Sequence, residues 1–349
     1  MSGPALSRPA GLIVFGAVLI LVAAVTLALP HMVNNYLVRV VIVMCIDVIL
    51  VASMGLGNGF TGVFSLGHVG FVAVGAYTSG ILSLPVTMKH AFLPDLPHWL
   101  ASFSLPFLPA TIAAGLVCAA LAAVVGAPLM RLSGYFVSVA TLGFLIIVNV
   151  VLINASDFTR GARTFAGVPL QTTLPWAMGW MVVTLTVLAR IAYSPFGRRF
   201  RVVREDPIAA RAVGLSILPV RLSAFIVGAF FAGVGGSLYG HYLGAFSPAS
   251  FYLPYTFALV SMLVIGGMGS ISGAVLGVVL VTVTSEVLRN LERGLDLGVI
   301  HIPPLYGASQ IVLGMMFILV MIFRPSGLMG DREVSPGLFL RRKPTGERE

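Results

Sequence analysis

The chain contains 349 residues, of which 58% are hydrophobic and only 9% are charged. Soluble domains usually carry about 25% charged residues, so the composition excludes a soluble protein and predicts an all-α protein that crosses a membrane repeatedly. The formal net charge of +9 would suit a nucleic-acid partner, but most of the basic residues fall where membrane topology places them. The two cysteines, Cys45 and Cys118, lie inside apolar runs and are expected to be buried free thiols.

Apolar runs of about 20 residues, the length that crosses a bilayer, recur along the chain. They predict ten spans, at 11–29, 36–54, 68–84, 109–129, 134–153, 173–191, 221–240, 254–266, 271–288 and 305–323. The first run is too long for the apolar core of a signal peptide, so we interpret it as a retained anchor. The eighth is too short to cross straight, which leaves a half-helix or a re-entrant pair open. A transmembrane domain at 11–323 is then flanked by an N-terminal segment at 1–10 and a tail at 324–349.

Lys and Arg are biased toward one side of this arrangement. With both termini in the cytoplasm, 15 of the 21 basic residues lie inside and 6 lie outside, and the opposite orientation inverts the bias. Short cytoplasmic loops normally carry the excess of positive charge, so we expect both termini to be cytoplasmic. The basic residues around the central loop at 192–220 therefore mark topology, and no nucleic-acid partner is expected.

The ten spans divide into two halves of five, separated by the loop at 154–172. The halves run in opposite directions, which is the pattern of an inverted-topology repeat. A short similarity supports a 5+5 repeat: GVFSLGHVGF at 62–71 follows the second span, and GAFSPASF at 244–251 follows the seventh. Chance similarity between Gly- and Phe-rich segments is the alternative explanation.

The central loop contains the longest polar stretch, SPFGRRFRVVREDPIAARAVGLSILP at 194–219. Glu205, Asp206 and Pro207 predict a helix start, because acidic residues favour the positive end of a helix dipole and Pro suits the first turn. The following IAARAVG predicts a short helix that ends at Gly214. A short helix at the membrane surface is suited to docking a soluble partner.

A glycine-rich segment, GNGFTGVFSLGH at 57–68, follows the second span. Its glycines disfavour continuous helix, and irregular backbone near membrane depth is tolerated only where protein covers it or it lines a cavity. We interpret it as lining or gating a solute path, with a tightly packed cytoplasmic turn as the alternative. The residues assigned to that path are Gly62, Ser65, Gly67 and His68.

A second glycine-rich segment, IGGMGSISG at 265–273, lies between two short apolar runs. Its glycines allow close helix approach and a broken helix, and simple packing is the alternative. The residues assigned to the solute path here are Gly266, Gly267, Gly269 and Ser270.

Asp47 lies in the middle of the second span. An ionisable residue at that depth is a functional hypothesis by default, so Asp47 is also assigned to the solute path; a protonated, hydrogen-bonded Asp is the alternative. In the outer loop at 154–169, Arg160 and Arg163 would suit an acidic solute or partner, or would simply be solvated. No paired carboxylates, metal-ligand cluster, nucleophile–base spacing or P-loop lysine appears in the sequence. Catalysis, a metal and a cofactor are therefore not expected.

Several motifs occur in one order: GFTGVFSLGHVGFVAVGAYTSGIL at 59–82, SGYFVSVATLGF at 133–144, the stretch at 194–240 that contains most of the central loop and the span after it, SPASF, and VIGGMGSISGAVLG. On these motifs the chain resembles the permease family of branched-chain amino acid ABC transporters, in particular its M-type subunit, over roughly residues 36–325. The central loop also resembles the short signature of ABC importer permeases, two alanines followed after three residues by Gly. The resemblance implies that an ATPase docks on Arg204, Glu205, Asp206, Ala209, Ala210 and Gly214.

The resemblance also implies partners in a prokaryotic inner membrane. They are a second, H-type permease, two cytoplasmic ATPases and a periplasmic binding protein that delivers the solute. The sequence around 158–165 and at 55–58 departs from the family pattern, which leaves the solute open between branched-chain amino acids and urea, amides or aromatic and carboxylic acids. Two other classes stay open from the residues alone: a proton-coupled carrier that uses Asp47 and His68, and a membrane protein without transport.

Overall fold

The computed structural model describes residues 34–292, 307–324 and 326–330, and most of these residues are helical. The predicted span at 11–29, the N-terminal segment and most of the tail lie outside the described residues. The helices are α1 (Asn35–Gly55), α2 (His68–Ser83), α3 (Val86–Phe92), α4 (His98–Ala101), α5 (Phe107–Leu129), α6 (Tyr135–Asn154), α7 (Ser156–Thr159), α8 (Leu174–Tyr193), α9 (Pro195–Glu205), α10 (Pro207–Ala212), α11 (Ile217–Leu243), α12 (Leu253–Gly266), α13 (Ile271–Glu292) and α14 (Ala308–Phe323).

Nine of the predicted apolar runs, from 36–54 to 305–323, coincide with one of these helices. In the described part of the chain, seven helical stretches are long and apolar enough to cross a membrane. The count becomes eight if α2 and α3, which are bent by 117° at a short break, form one span. The chain is therefore a multi-pass, all-α membrane protein, while the total of ten spans stays a prediction.

The span predicted at 254–266 is longer in the structure than in the sequence-based prediction. A 3₁₀ turn, Pro248–Phe251, leads directly into α12, and together they give an apolar stretch of 19 residues. That length is close to the roughly 20 residues needed to cross a bilayer.

The core lies where α11 packs against α2 and α5, with α1 on its other side. Small residues allow this approach, because a Cβ placed on Gly236 would lie 2.1 Å from the carbonyl oxygen of Val72 in α2. Helices in lipid depend on such close packing, since lipid gives no hydrophobic driving force between them. Both cysteines are buried and free, as the sequence predicted.

The helix α11 runs from the central loop to the opposite side of the protein, which we call the far side. There two short strands, β1 (Phe165–Ala166) and β2 (Ala245–Phe246), pair antiparallel with Phe165 opposite Phe246. The pairing joins the loop between α7 and α8 to the segment after α11.

Candidate functional site

The central loop folds into two consecutive helices rather than one. The sequence predicted the second, α10, but missed α9, whose first turn is capped by Ser194 through a hydrogen bond from the backbone N–H of Phe196 to its Oγ (3.1 Å). Glu205 ends α9 instead of starting α10. The start of α10 is as predicted at Asp206, whose Oδ1 accepts from the N–H groups of Ile208 (2.8 Å) and Ala209 (3.0 Å).

Gly214 ends α10 in a Schellman motif. The N–H of Leu215 donates to the carbonyl of Ala210 (3.0 Å), and the N–H of Gly214 donates to that of Arg211 (3.0 Å). This motif needs a left-handed residue, and Gly214 has φ +79°. The predicted helix and its glycine stop are therefore confirmed.

Two large apolar side chains are exposed on α10 and at its C-terminal end. Ala210 is fully buried, whereas Ile208 is 82% exposed and Val213 is 73% exposed. Ala209 and Gly214 are exposed on the same short helix and its end. Sequence reasoning missed Ile208 and Val213, although two aliphatic residues inside a strongly basic loop were a usable signal. Exposed apolar side chains in an arginine-rich loop are a feature of protein-docking surfaces.

Arg204 connects α9 to the first glycine segment. Its guanidinium donates to the carbonyl oxygen of Gly59 (2.9 Å), and its Nε lies 3.7 Å from the Glu205 carboxylate. Gly62 has φ +69°, and a Cβ at this position would lie 3.1 Å from Cγ of Arg204. The backbone at 59–62 thus packs directly on the Arg204 side chain.

The second glycine segment meets the first at the same place. The chain after α1 continues as a π-helical turn, Leu56–Phe60, and a Cβ on Gly59 would lie only 1.5 Å from the carbonyl oxygen of Met268. Only glycine permits this backbone contact. We call the meeting point of α9 with the segments 57–68 and 265–273 the junction. A cavity of about 200 Å³ opens beside it, lined by Phe60, Ala192, Tyr193, Arg201, Arg204, Glu205 and Gly269.

The rest of the second segment is held by local and tail contacts. The buried Ser270 accepts a hydrogen bond from the N–H of Gly273 (2.9 Å) in the first turn of α13. The backbone N–H groups of Leu328 and Met329 donate to the carbonyls of Ile265 (2.9 Å) and Gly266 (3.0 Å). Gly267 has φ +118°, which a side chain would strain.

The irregular backbone of the first glycine segment is satisfied by side chains. Asn58 accepts from the N–H of Ser65 (3.0 Å) and donates to its carbonyl (3.2 Å). Thr141 of α6 accepts from the N–H of Leu66 (3.1 Å). A Cβ on Gly67 would lie 2.6 Å from the carbonyl oxygen of Thr141. Protein therefore covers this break in the helix, one of the two conditions under which membranes tolerate irregular backbone.

His68 begins α2 and is buried. Its Nε2 lies 3.0 Å from Oγ of Ser53 in α1, and Ser65 is buried nearby. Ser53, Ser65 and His68 line a small cavity of about 20 Å³, enough for a single water molecule. The contact between His68 and Ser53 ties the start of α2 to the end of α1.

Asp47 is separate from the junction. It lies ten residues before Gly57 on α1, which is roughly 15 Å along a helix axis. Its Oδ1 accepts a hydrogen bond from the hydroxyl of Tyr255 in α12 (2.9 Å), and its side chain is buried. The structure therefore joins the loop residues and both glycine segments into one site, and leaves Asp47 in another.

Long apolar helices, two glycine-broken helical segments and a surface helix pair define a polytopic helical membrane protein with a junction between surface and span. The chain matches the family model described as "Branched-chain amino acid transport system / permease component" over residues 36–321, and it belongs to that family. The predicted family resemblance is thus confirmed. Membership favours a transport permease over an enzyme, and over the alternative of a proton-coupled carrier.

Named relatives agree with the family assignment. The high-affinity branched-chain amino acid transport system permease protein LivM of Salmonella typhimurium is 30% identical over 339 residues, covering 87% of this chain and 72% of the relative. LivM of Escherichia coli is 30% identical over 347 residues, covering 89% and 74%. LivH of Salmonella typhimurium is 28% identical over 205 residues, covering 53% and 62%. No solved structure matches the chain.

Proposed function

We propose that the chain is the M-type membrane subunit of an ATP-driven ABC importer in a prokaryotic inner membrane. It would translocate branched-chain amino acids or related small solutes that a periplasmic binding protein delivers. The family match and the names of the LivM relatives support the solute class. That both LivM and LivH resemble this chain supports a second, homologous permease as its partner.

The junction is the observation that carries this proposal. A soluble ATPase would dock on Ile208 of α10 and on Val213 at the end of that helix. Its movement would push α9, because α9 and α10 are separated only by Asp206. Arg204 then passes the movement to the carbonyl of Gly59, and the contact of Gly59 with Met268 passes it to the second glycine segment. Each segment connects two successive helices, α1 to α2 and α12 to α13, so a small displacement at the surface would reach several membrane helices together.

The proposed topology has ten spans in a 5+5 inverted repeat with both termini in the cytoplasm. Its support is a matching pair of helix breaks. Gly62 after α1 and Gly244 after α11 both have φ +69°, and each is followed by non-helical backbone and then by a helix. The first break packs on the central loop and the second on the far side, as inversion requires. In this arrangement the glycine segments and His68 gate the solute path.

Reconstitution in liposomes tests the proposal. The chain is combined with a second permease of the same family, the two ATPases and the binding protein, and uptake of L-leucine is measured with and without ATP inside. ATP-driven uptake is expected. Uptake by this chain alone under a pH gradient, without ATPases, would contradict the importer function.

A substitution at Arg204 tests the junction itself. Arg204→Gln removes the charged donor to Gly59, so uptake should fall while ATP hydrolysis persists. The matched control is Arg199→Gln, because the Arg199 guanidinium stacks on Phe196 of its own helix (5.6 Å to the ring centroid). Equal uptake in both variants would show that Arg204 does not transmit the movement.

A further inference from the structure

Three tyrosines form a parallel stack on the far side of the protein. The rings of Tyr239 and Tyr255 have centroids 5.3 Å apart and planes 12° apart, and those of Tyr239 and Tyr242 are 6.5 Å and 15° apart. Two of the rings come from the end of α11 and one from the start of α12. All three are only partly buried. We call these three residues the tyrosine ladder.

The tyrosine ladder ends on a carboxylate. The Tyr255 hydroxyl donates to Oδ1 of Asp47 (2.9 Å), in the middle of α1. At the other end Arg39 lies near Tyr242, and the hydroxyl of Tyr36 is hydrogen-bonded to Glu286 of α13. Aromatic rings, hydroxyls and carboxylates therefore cluster between the exposed start of α1 and the buried Asp47.

This polar face differs from the other faces of the helical bundle. Val139, Ile147 and Val151 on α6 are 56–68% exposed, and such an aliphatic surface suits lipid. Ionisable residues within spans normally face a water-filled cavity or another protein segment rather than lipid, and the buried Asp47 is bonded to this face through Tyr255. The face that carries the tyrosine ladder is therefore unsuited to lipid and suited to a hydrated path.

The chemistry of the tyrosine ladder favours a positively charged group. The face of an aromatic ring carries negative electrostatic potential and attracts cations within about 6 Å of the ring centroid. Asp47 adds a full negative charge when ionised. We propose that the tyrosine ladder and Asp47 form a binding site for the ammonium group of the transported solute, on the side of the subunit that faces the translocation path. This inference rests on the proposed import of amino acids.

The test uses the complete importer in liposomes, with L-leucine as the probe and ATP hydrolysis measured in parallel. Tyr239→Leu removes the central ring, and Asp47→Asn removes the charge at similar volume. Each should lower the rate of L-leucine uptake about tenfold while binding-protein-stimulated ATP hydrolysis changes less than about twofold. Tyr239→Phe keeps the ring face and should retain most of the uptake. If the solute bound the hydroxyl instead of the ring, this variant would lose uptake as well.

The matched control is Tyr77→Phe, because the buried Tyr77 hydroxyl has no hydrogen-bond partner among the described residues and the ring belongs to another aromatic cluster, with Phe165 and Phe246. It should leave uptake unchanged. Co-purification with the partner subunits checks that each variant assembles. Uptake within about twofold of the wild type in both Tyr239→Leu and Asp47→Asn would overturn this inference alone. Absence of L-leucine uptake by the wild-type importer would instead refute the proposed function, and the inference with it.

Discussion

The contact between Gly59 and Met268 gives the sharpest prediction about the junction. Replacing Gly59 by Ala places a methyl carbon where the Met268 carbonyl oxygen is 1.5 Å away, whereas ordinary contact begins at about 3.4 Å. The two backbones must therefore separate by roughly 2 Å, and neither is a flexible side chain that could swing away. Overpacking of this kind typically costs about 1–3 kcal/mol.

The separation should also weaken the link to α9, because Arg204 donates to the carbonyl of the same residue, Gly59. Thermal unfolding of the purified subunit in detergent, followed by size-exclusion chromatography, should show a lower midpoint for Gly59→Ala. ATP-driven uptake by the assembled importer should fall as well.

Gly57→Ala is the matched control for this prediction. Gly57 lies two residues earlier in the same π-helical turn, and a Cβ there would meet no atom of the described residues within 4 Å. Ala is intrinsically favoured over Gly in a helix by up to about 1 kcal/mol, so this variant should keep or raise the unfolding midpoint. Equal unfolding temperatures and equal transport by Gly59→Ala and Gly57→Ala would show that the contact between Gly59 and Met268 does not constrain the junction.

Two further substitutions test other parts of the structure. Gly214→Pro should abolish ATP-driven transport without preventing membrane insertion, because Pro fixes φ near −65° where α10 ends at +79°; Gly214→Asn, which tolerates positive φ, should retain activity. Equal transport by Gly214→Pro and wild type would exclude a docking role for the end of α10. Lys89 is fully buried and donates to the carbonyls of Leu100 (2.8 Å) and Phe103 (2.6 Å), so Lys89→Met leaves both without their donor. Limited proteolysis should then cut the segment at 94–105 faster, and unchanged cleavage would show that Lys89 does not hold it.

The sequence alone determined the elements that depend on local chemistry. Apolar run length sets where a chain can cross a bilayer, and nine of the predicted runs coincide with helices. The α10 helix was equally readable, because Asp206 caps its start and Gly214 takes the left-handed conformation at its end. The motif order was enough to predict the family that the comparison then showed. The local signal for α9 was weaker, since a run of arginines resembles a solvated loop.

Only the tertiary structure decided how these elements meet. Arg204 and Gly59 are 145 residues apart in sequence, and Asp47 and Tyr255 are 208 apart. The neighbouring sequence does not distinguish Gly59, which packs against a distant carbonyl, from Gly57, where a Cβ would contact none of the described residues. The stack of tyrosines likewise needs the end of α11 and the start of α12 to be side by side. Such contacts depend on the rotation and depth of each helix in the bundle, which interhelical packing fixes and hydrophobic periodicity does not.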